Sequence, residues 1–263
     1  MTPPATPQPA PRFRLDRELG AGTTGRVWHG VLTAGFGPYP GGFEVAVKFL
    51  HPHLATDVAA STNFDTEARA GSAVEHAGLV RVFATGTDER GRFLVMPFVP
   101  GHTLRELARE QGPLPEPSLR SLARQVSAAL AALHDAGFLH GDIKPENIRL
   151  DAEGNAVLLD LGFARAASDV IPAADRRVAP RPGSLPYLAP EQARGEAGTR
   201  ASDVFALGVV LYELATGVHP FAAEALLGDE RSRPARTNRR IDGLTPSGSS
   251  GAIARAALEK PDA

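Results

Sequence analysis

From Phe13 to Val99 the apolar side chains come in short alternating runs: RFRLDREL, RVWHGVL, FEVAVKFL, LVRVFATG and RFLVMPFV. A period of two is the signature of half-buried strands. Gly- and Pro-rich punctuation separates the runs, including AGFGPYPGG over 34–42. A helical stretch over 61–75 interrupts them. After Gly101 the period lengthens. Leu119, Leu122, Val126, Leu130 and Leu133 recur at three- and four-residue steps, which predicts an amphipathic helix over 118–135. Residues 202–216 are apolar nearly all round, as a buried helix is, and Ser202 or Asp203 is placed to cap it. A strand-rich third followed by a helical remainder predicts an α+β chain of two lobes with a cleft between them. The boundaries fall at 1–11 for a Pro-rich disordered leader, 12–99 for the small β-rich lobe, and 100–263 for the helical lobe.

Charge and composition narrow the function classes. The net charge of −2 supplies no field that draws nucleic acid or an anionic membrane. With no cysteine, disulfides, thiolate catalysis and Cys-based zinc sites are excluded. No apolar run reaches the roughly 20 residues of a membrane span, and no signal-peptide pattern opens the chain, so a soluble cytoplasmic protein is expected. Of 28 basic residues only Lys48, Lys144 and Lys260 are lysine. Against such an arginine bias, a surviving lysine suggests a need for a compact ammonium.

Two of those lysines stand in motifs. Gly20-Ala21-Gly22-Thr23-Thr24-Gly25 joins one strand to the next, and glycines let backbone N–H groups approach phosphates. A hairpin turn explains the same glycines. Val45-Ala46-Val47-Lys48 ends a strand with a lysine, and Glu67, on the helical stretch, can pair with it and hold it against the α- and β-phosphates. Glu75 is the competing carboxylate. His140-Gly141-Asp142-Ile143-Lys144-Pro145-Glu146-Asn147 is the densest polar cluster. In it Asp142 is suited to act as general base, Lys144 to neutralise a transferring phosphoryl group, and Asn147 to ligate a metal. Asp160, at the end of an apolar strand before Leu161-Gly162, is suited to a hard divalent cation.

With Gly183-Ser184-Leu185-Pro186-Tyr187-Leu188-Ala189-Pro190-Glu191 following in order, the chain over 12–262 resembles a eukaryotic-type protein kinase domain, closest to the bacterial serine/threonine branch. The resemblance implies a bilobal kinase-like fold, ATP with Mg2+ (or Mn2+), and a protein Ser/Thr hydroxyl as acceptor. It implies an ATP site of Leu19, Gly20, Gly22, Gly25, Val27, Ala46 and Lys48, with the adenine edge meeting Met96, Pro97 and Val99. Catalytic residues would be Asp142, Lys144, Lys48 and Glu67, metal ligands Asn147 and Asp160, and the substrate platform Ser184 and Glu191. Lys144 and Ser184 point to serine or threonine over tyrosine.

Several positions depart from the family pattern. Gly141 replaces the arginine that receives an activation-segment phosphate, and between Phe163 and Pro182 the one hydroxyl is Ser168, so a segment not switched by phosphorylation is expected. Arg176, Arg177 and Arg181 could pair there with Asp169 or Asp175. Gly71 stands where a large apolar residue is usual and is expected to leave a gap. Arg149 takes an apolar position, with its stem serving and its head expected in solvent. The sequence stops at Ala263, short of the last helix that the resemblance implies. Two other readings remain: a nucleotide-binding pseudokinase or scaffold, and a small-molecule kinase of the aminoglycoside or choline type, which often reads His-Gly-Asp at its base.

Overall fold

The structure, a computed structural model, describes residues 10–161, the backbone of 165–166, and residues 185–221. Their contacts divide the chain into two compact units. One runs to Glu75 and resumes from Val80 to Val99; the other takes His76–Leu79 and everything from Pro100 onward. The segment that leaves the first unit therefore visits the second for four residues before returning.

The first unit is an antiparallel sheet of β1 (Phe13–Ala21), β2 (Gly25–Leu32), β3 (Glu44–Leu50), β4 (Ala84–Asp88) and β5 (Gly91–Pro97), in the order β1-β2-β3-β5-β4. Alternation does the sorting. Val45, Val47 and Phe49 of β3 join Leu32, Phe93 and Val95 in one core on one face. The 34–42 segment is more than punctuation: Phe36 and Tyr39 pack on that core, with the Tyr39 ring 4.2 Å from that of Phe83. Of the run LVRVFATG only its end is a strand. Val82 sends its N–H to the Gly71 carbonyl at 2.9 Å, so the buried Leu79, Val80 and Val82 form an apolar linker that mimics strand alternation.

Helix α1 (Val58–Ala73) starts three residues before 61 because the Asp57 carboxylate accepts the Ala60 N–H at 2.8 Å and caps it. Gly71 leaves no gap, contrary to expectation. A Cβ there would lie 2.5 Å from Val82 Cγ2 and 3.1 Å from Val82 N, so the space belongs to the linker and glycine is what lets α1 sit against it.

The second unit contains β6 (His102–Thr103), α2 (Leu104–Gln111), α3 (Glu116–Asp135), β7 (Phe138–Leu139), β8 (Ile148–Leu150), β9 (Ala156–Leu158), β10 (Arg165–Ala166), α4 (Pro190–Ala193) and α5 (Arg200–Thr216). The amphipathic reading of α3 holds: Leu119, Leu122, Val126, Leu130 and Leu133 are buried. So does the buried reading of α5, in which Phe205–Tyr212 are all buried. Its cap is a correction. Thr199 is the N-cap and accepts from Ser202 N–H, while the Ser202 hydroxyl takes the Thr199 N–H at 2.8 Å in a reciprocal box. Asp203 is thereby released for another task. The 1–9 leader and the tail from 222 lie outside the described residues. Among the described residues no helix is long and apolar enough to cross a membrane.

Candidate active site

In the first unit, strand register gathers most of the residues expected to hold ATP. Val27 pairs with Lys48, and Ala46 with Met96, so these side chains share the sheet face opposite the aromatic core. Gly20 pairs with Val27 on the same side, and Leu19 is half-buried beside it. Lys48 is 5% exposed and donates to both Glu67 oxygens at 2.8 Å. Glu75, the rival, is 84% exposed at its side chain and pairs with Arg81. Taking two charges out of water is costly, so such a pair persists when geometry and hydrogen bonds are good, as the two-point contact is here. Pro97 and Val99, at and just past the end of β5, are half-buried.

The three glycines of the turn are not equivalent. A Cβ on Gly25 would lie 2.0 Å from the Phe49 carbonyl oxygen, so the sheet itself requires glycine there. A Cβ on Gly20 would meet nothing within 4 Å, and one on Gly22 only the Gly25 carbonyl at 3.9 Å. The fold's own packing leaves those two positions unexplained.

In the second unit the polar loop between β7 and β8 closes on itself. Asp142 is 4% exposed, and its Oδ2 accepts from Lys144 Nζ at 2.7 Å and from Asn147 Nδ2 at 2.9 Å. Asn147 Nδ2 also donates to the Asp142 carbonyl at 2.8 Å. Both partners are acceptors, which fixes the amide orientation and turns Oδ1 into the atom suited to a cation. His140 takes the Asp142 N–H on Nδ1 at 3.3 Å, so Nε2 carries the proton and donates to the Leu159 carbonyl at 3.2 Å. Leu159 N–H donates to the Asn147 carbonyl at 2.8 Å, tying the residue before Asp160 to the amide. Asp160 is the one non-glycine with positive φ among the described residues, at 58°, a conformation that aspartate tolerates and that recurs where function demands it.

Asp203 is what the sequence reading missed as a site residue. From inside α5 its Oδ1 accepts Gly141 N–H at 2.8 Å, and Oδ2 accepts His140 N–H at 2.9 Å and bonds His134 Nε2 at 2.8 Å. Three donors on one buried carboxylate hold the backbone just before Asp142. Gly141 takes φ of 76°, a value that favours glycine. The signal was an aspartate in the first turn of a largely apolar helix.

A second network also escaped the sequence. Arg105 of α2 donates to Glu146 at 2.8 Å, to Glu213 at 2.7 Å and to the Tyr187 hydroxyl, which donates to Glu213 at 2.6 Å. Burial works to lower the Arg105 pKa, but its bonds to Glu213 and Glu146 outweigh that and raise it. Burial and the Glu213 bond push the Tyr187 phenol up. The polar loop is thus braced through Glu146 as well as through Asp203.

Arg149 and Glu191 have partners that local sequence did not show. Arg149 is half-buried, and its guanidinium donates to the Pro100 and Gly101 carbonyls, the Pro100 bond being exposed. Glu191, expected on a substrate platform, is 7% exposed and accepts the Ser202 hydroxyl, tying α4 to α5. Ser184, Ser168, Gly162 and the arginines at 176, 177 and 181 lie outside the described residues.

The sequence matches known proteins. The protein kinase domain family matches residues 13–241. The chain belongs to the protein kinase family. It is 36% identical over 239 residues to the serine/threonine-protein kinase PknL of Mycobacterium tuberculosis, covering 89% of this chain and 58% of that protein. It is 38% identical over 220 residues to the probable serine/threonine-protein kinase PknB of Corynebacterium glutamicum (82% and 33%), and 38% over 182 residues to PrkC of Bacillus subtilis (69% and 28%). The kinase chain thus spans little more than half, or less, of the bacterial relatives it matches. Membership in the kinase family implies ATP and a divalent cation, and the donor set fits the latter. Among the described residues no cluster of three His, Asp or Glu could hold an ion alone. The Asp160 carboxylate and the Asn147 amide oxygen are hard-oxygen donors of the kind that such a cation takes.

Proposed function

We propose that the chain is a serine/threonine protein kinase that transfers the γ-phosphoryl group of Mg·ATP to a protein hydroxyl in the cytoplasm. The observation that carries this reading is the buried Asp142 carboxylate, held at one oxygen by both Lys144 and Asn147. A carboxylate so fixed is oriented to accept the proton of an attacking hydroxyl, and the hydroxyl oxygen bonds to the γ-phosphorus as the β–γ bridging P–O bond breaks and ADP leaves. Lys144 follows with positive charge for the phosphoryl oxygens. In the first unit Lys48, aligned by Glu67, serves the α- and β-phosphates. The turn amides serve them too, through Gly20 and Gly22, where the fold leaves side-chain space unused. Val27 and Ala46 offer a half-buried apolar face for the base. The cation, when bound, neutralises phosphate charge, and Asp160 and Asn147 are the residues suited to hold it.

The test is transfer from labelled ATP to a panel of proteins by the wild type and Asp142→Asn. Labelled phosphoserine or phosphothreonine is expected from the wild type alone. Equal labelling by the variant excludes Asp142 as base, and nucleotide binding without transfer by the wild type favours a pseudokinase. Label on an aminoglycoside or choline in place of protein favours a small-molecule kinase.

A further inference from the structure

The residue after β3, His51, has no role in the site above, yet it makes two contacts to the glycine-rich turn. His51 N–H donates to the Thr24 carbonyl at 3.0 Å, and His51 Nε2 lies 2.9 Å from the Gly22 carbonyl. A carbonyl only accepts, so Nε2 carries the hydrogen. Gly22 N–H in turn donates to Gly25 O at 2.8 Å, closing the turn on itself. The carbonyls on either side of Thr23 are thus held by one residue, three positions beyond Lys48.

His51 is itself held. A residue before proline is confined to extended backbone, and Pro52 keeps His51 at φ −58° and ψ 134°. Its own carbonyl accepts Leu54 N–H at 2.9 Å from the short turn Pro52–Leu54. The imidazole stacks on His53, ring centroids 5.2 Å apart at 22°. Strand end, proline and ring stack leave the Nε2–H little freedom.

We infer that His51 is a positioning residue for nucleotide binding, a tether that fixes the glycine-rich turn to the strand carrying Lys48. The inference rests on the reading of that turn as the phosphate site. Glycine-rich backbone samples more conformations than any other, and each must be given up when the turn closes on a ligand. A tether removes part of that loss before the ligand arrives, so affinity rises with no contact between His51 and nucleotide. It also keeps turn amides and lysine ammonium in one register.

The experiment compares wild type, His51→Ala, His51→Gln and His51→Asn in the full chain, using fluorescent ADP binding, steady-state transfer, thermal melting, and hydrogen exchange of the turn amides without nucleotide. A net hydrogen bond of ordinary strength predicts that His51→Ala weakens ADP binding and raises KM for ATP by about fivefold. The turn amides should exchange faster, with kcat within about twofold and the melting temperature nearly unchanged. Glutamine, whose amide nitrogen reaches as far as Nε2, should restore binding and slow exchange; asparagine, one methylene shorter, should not. Wild-type binding and exchange in His51→Ala overturn the proposal, as do equal results for Gln and Asn, or a fall in kcat with KM unchanged. If turn exchange quickens in His51→Ala but the wild type binds no nucleotide, the tether stands. The phosphate reading, and the affinity role with it, is then lost.

Discussion

The two units solve the same problem, holding charged groups away from bulk water, in different ways. In the first, Lys48 and Glu67 face each other from a strand and a helix 19 residues apart, the one ammonium donating to both carboxylate oxygens. In the second, Asp142, Lys144 and Asn147 come from one loop of six residues, and what orients that loop is Asp203, 62 residues from Gly141. The pair is held side chain to side chain; the loop is anchored by a side chain to its backbone. A side-chain pair can be exchanged as a unit. A carboxylate that satisfies backbone amides cannot, because the amides remain whatever replaces it. The first arrangement is therefore open to adjustment by moving α1, and the second is built to stay fixed.

The largest effect expected is on chemistry. Asp142→Asn should lower transfer by about a thousandfold, within the range that general-base removal produces, while fluorescent ADP binds as in the wild type. An equal loss of ADP binding would mean that the loop, and not the base alone, had been disturbed.

The contrast between the units is broken most directly by swapping their partners. Glu67→Ala removes one member of a buried ion pair and should cost about 3–5 kcal/mol in urea denaturation. The joint replacement Lys48→Met with Glu67→Leu should recover most of that stability, at the expense of all transfer. Asp203→Ala should cost about 3 kcal/mol by leaving the His140 and Gly141 N–H groups without their acceptor. Adding His134→Leu should not recover it. Recovery in the Asp203 double variant, or none in the Lys48 one, would remove the distinction.

Gly71→Ala tests how α1 is seated. A stiff β-branched side chain stands where the new methyl must go, so the change should cost about 1–2 kcal/mol despite alanine's better helix propensity. Val82→Ala should offset part of the loss when combined with it. Lys48–Glu67 function should suffer in parallel, read as KM for ATP.

The smallest effect concerns pH. Burial lowers the His219 pKa, and the ring stands against Tyr187 with Arg105 and Glu213 nearby. Its Nδ1 accepts Phe221 N–H at 3.1 Å, while Nε2 is buried without a hydrogen-bond partner among the described residues. A histidine whose folded pKa is lowered binds its proton more readily when unfolded, so its contribution to stability is present above about 6.5 and lost as pH falls below that. The wild type should lose roughly 1–2 °C more than His219→Gln between pH 7.5 and 5.5 in thermal melts. An opposite difference would mean that the ring gains an anionic partner on protonation.

Much of this was written in local order. Strand alternation fixed which residues of β3 face the aromatic core and which accompany Lys48, since neighbours on a strand must point to opposite faces. Spacing fixed α3 and the apolar α5, and one loop of adjacent residues supplied Asp142, Lys144 and Asn147. Where the local signal misled, a distant partner had prevailed. Leu79–Val82 alternate like a strand but are buried as a linker against Gly71. Ser202 and Asp203 look like caps, yet Thr199 begins the helix and Asp203 turns to the loop before Asp142. Glu191 stands in a motif but spends its carboxylate on Ser202. The sequence by itself determined which chemical groups exist and which share an element, because periodicity and turn residues act within a few positions. The tertiary structure alone decided that Glu67 and not Glu75 meets Lys48, that Val82 fills the place beside Gly71, that His51 holds turn carbonyls in the first unit, and that in the second Asp203 holds loop amides and Arg105 holds Glu146. Hydrogen bonds between residues tens of positions apart leave no mark on the pattern of either one.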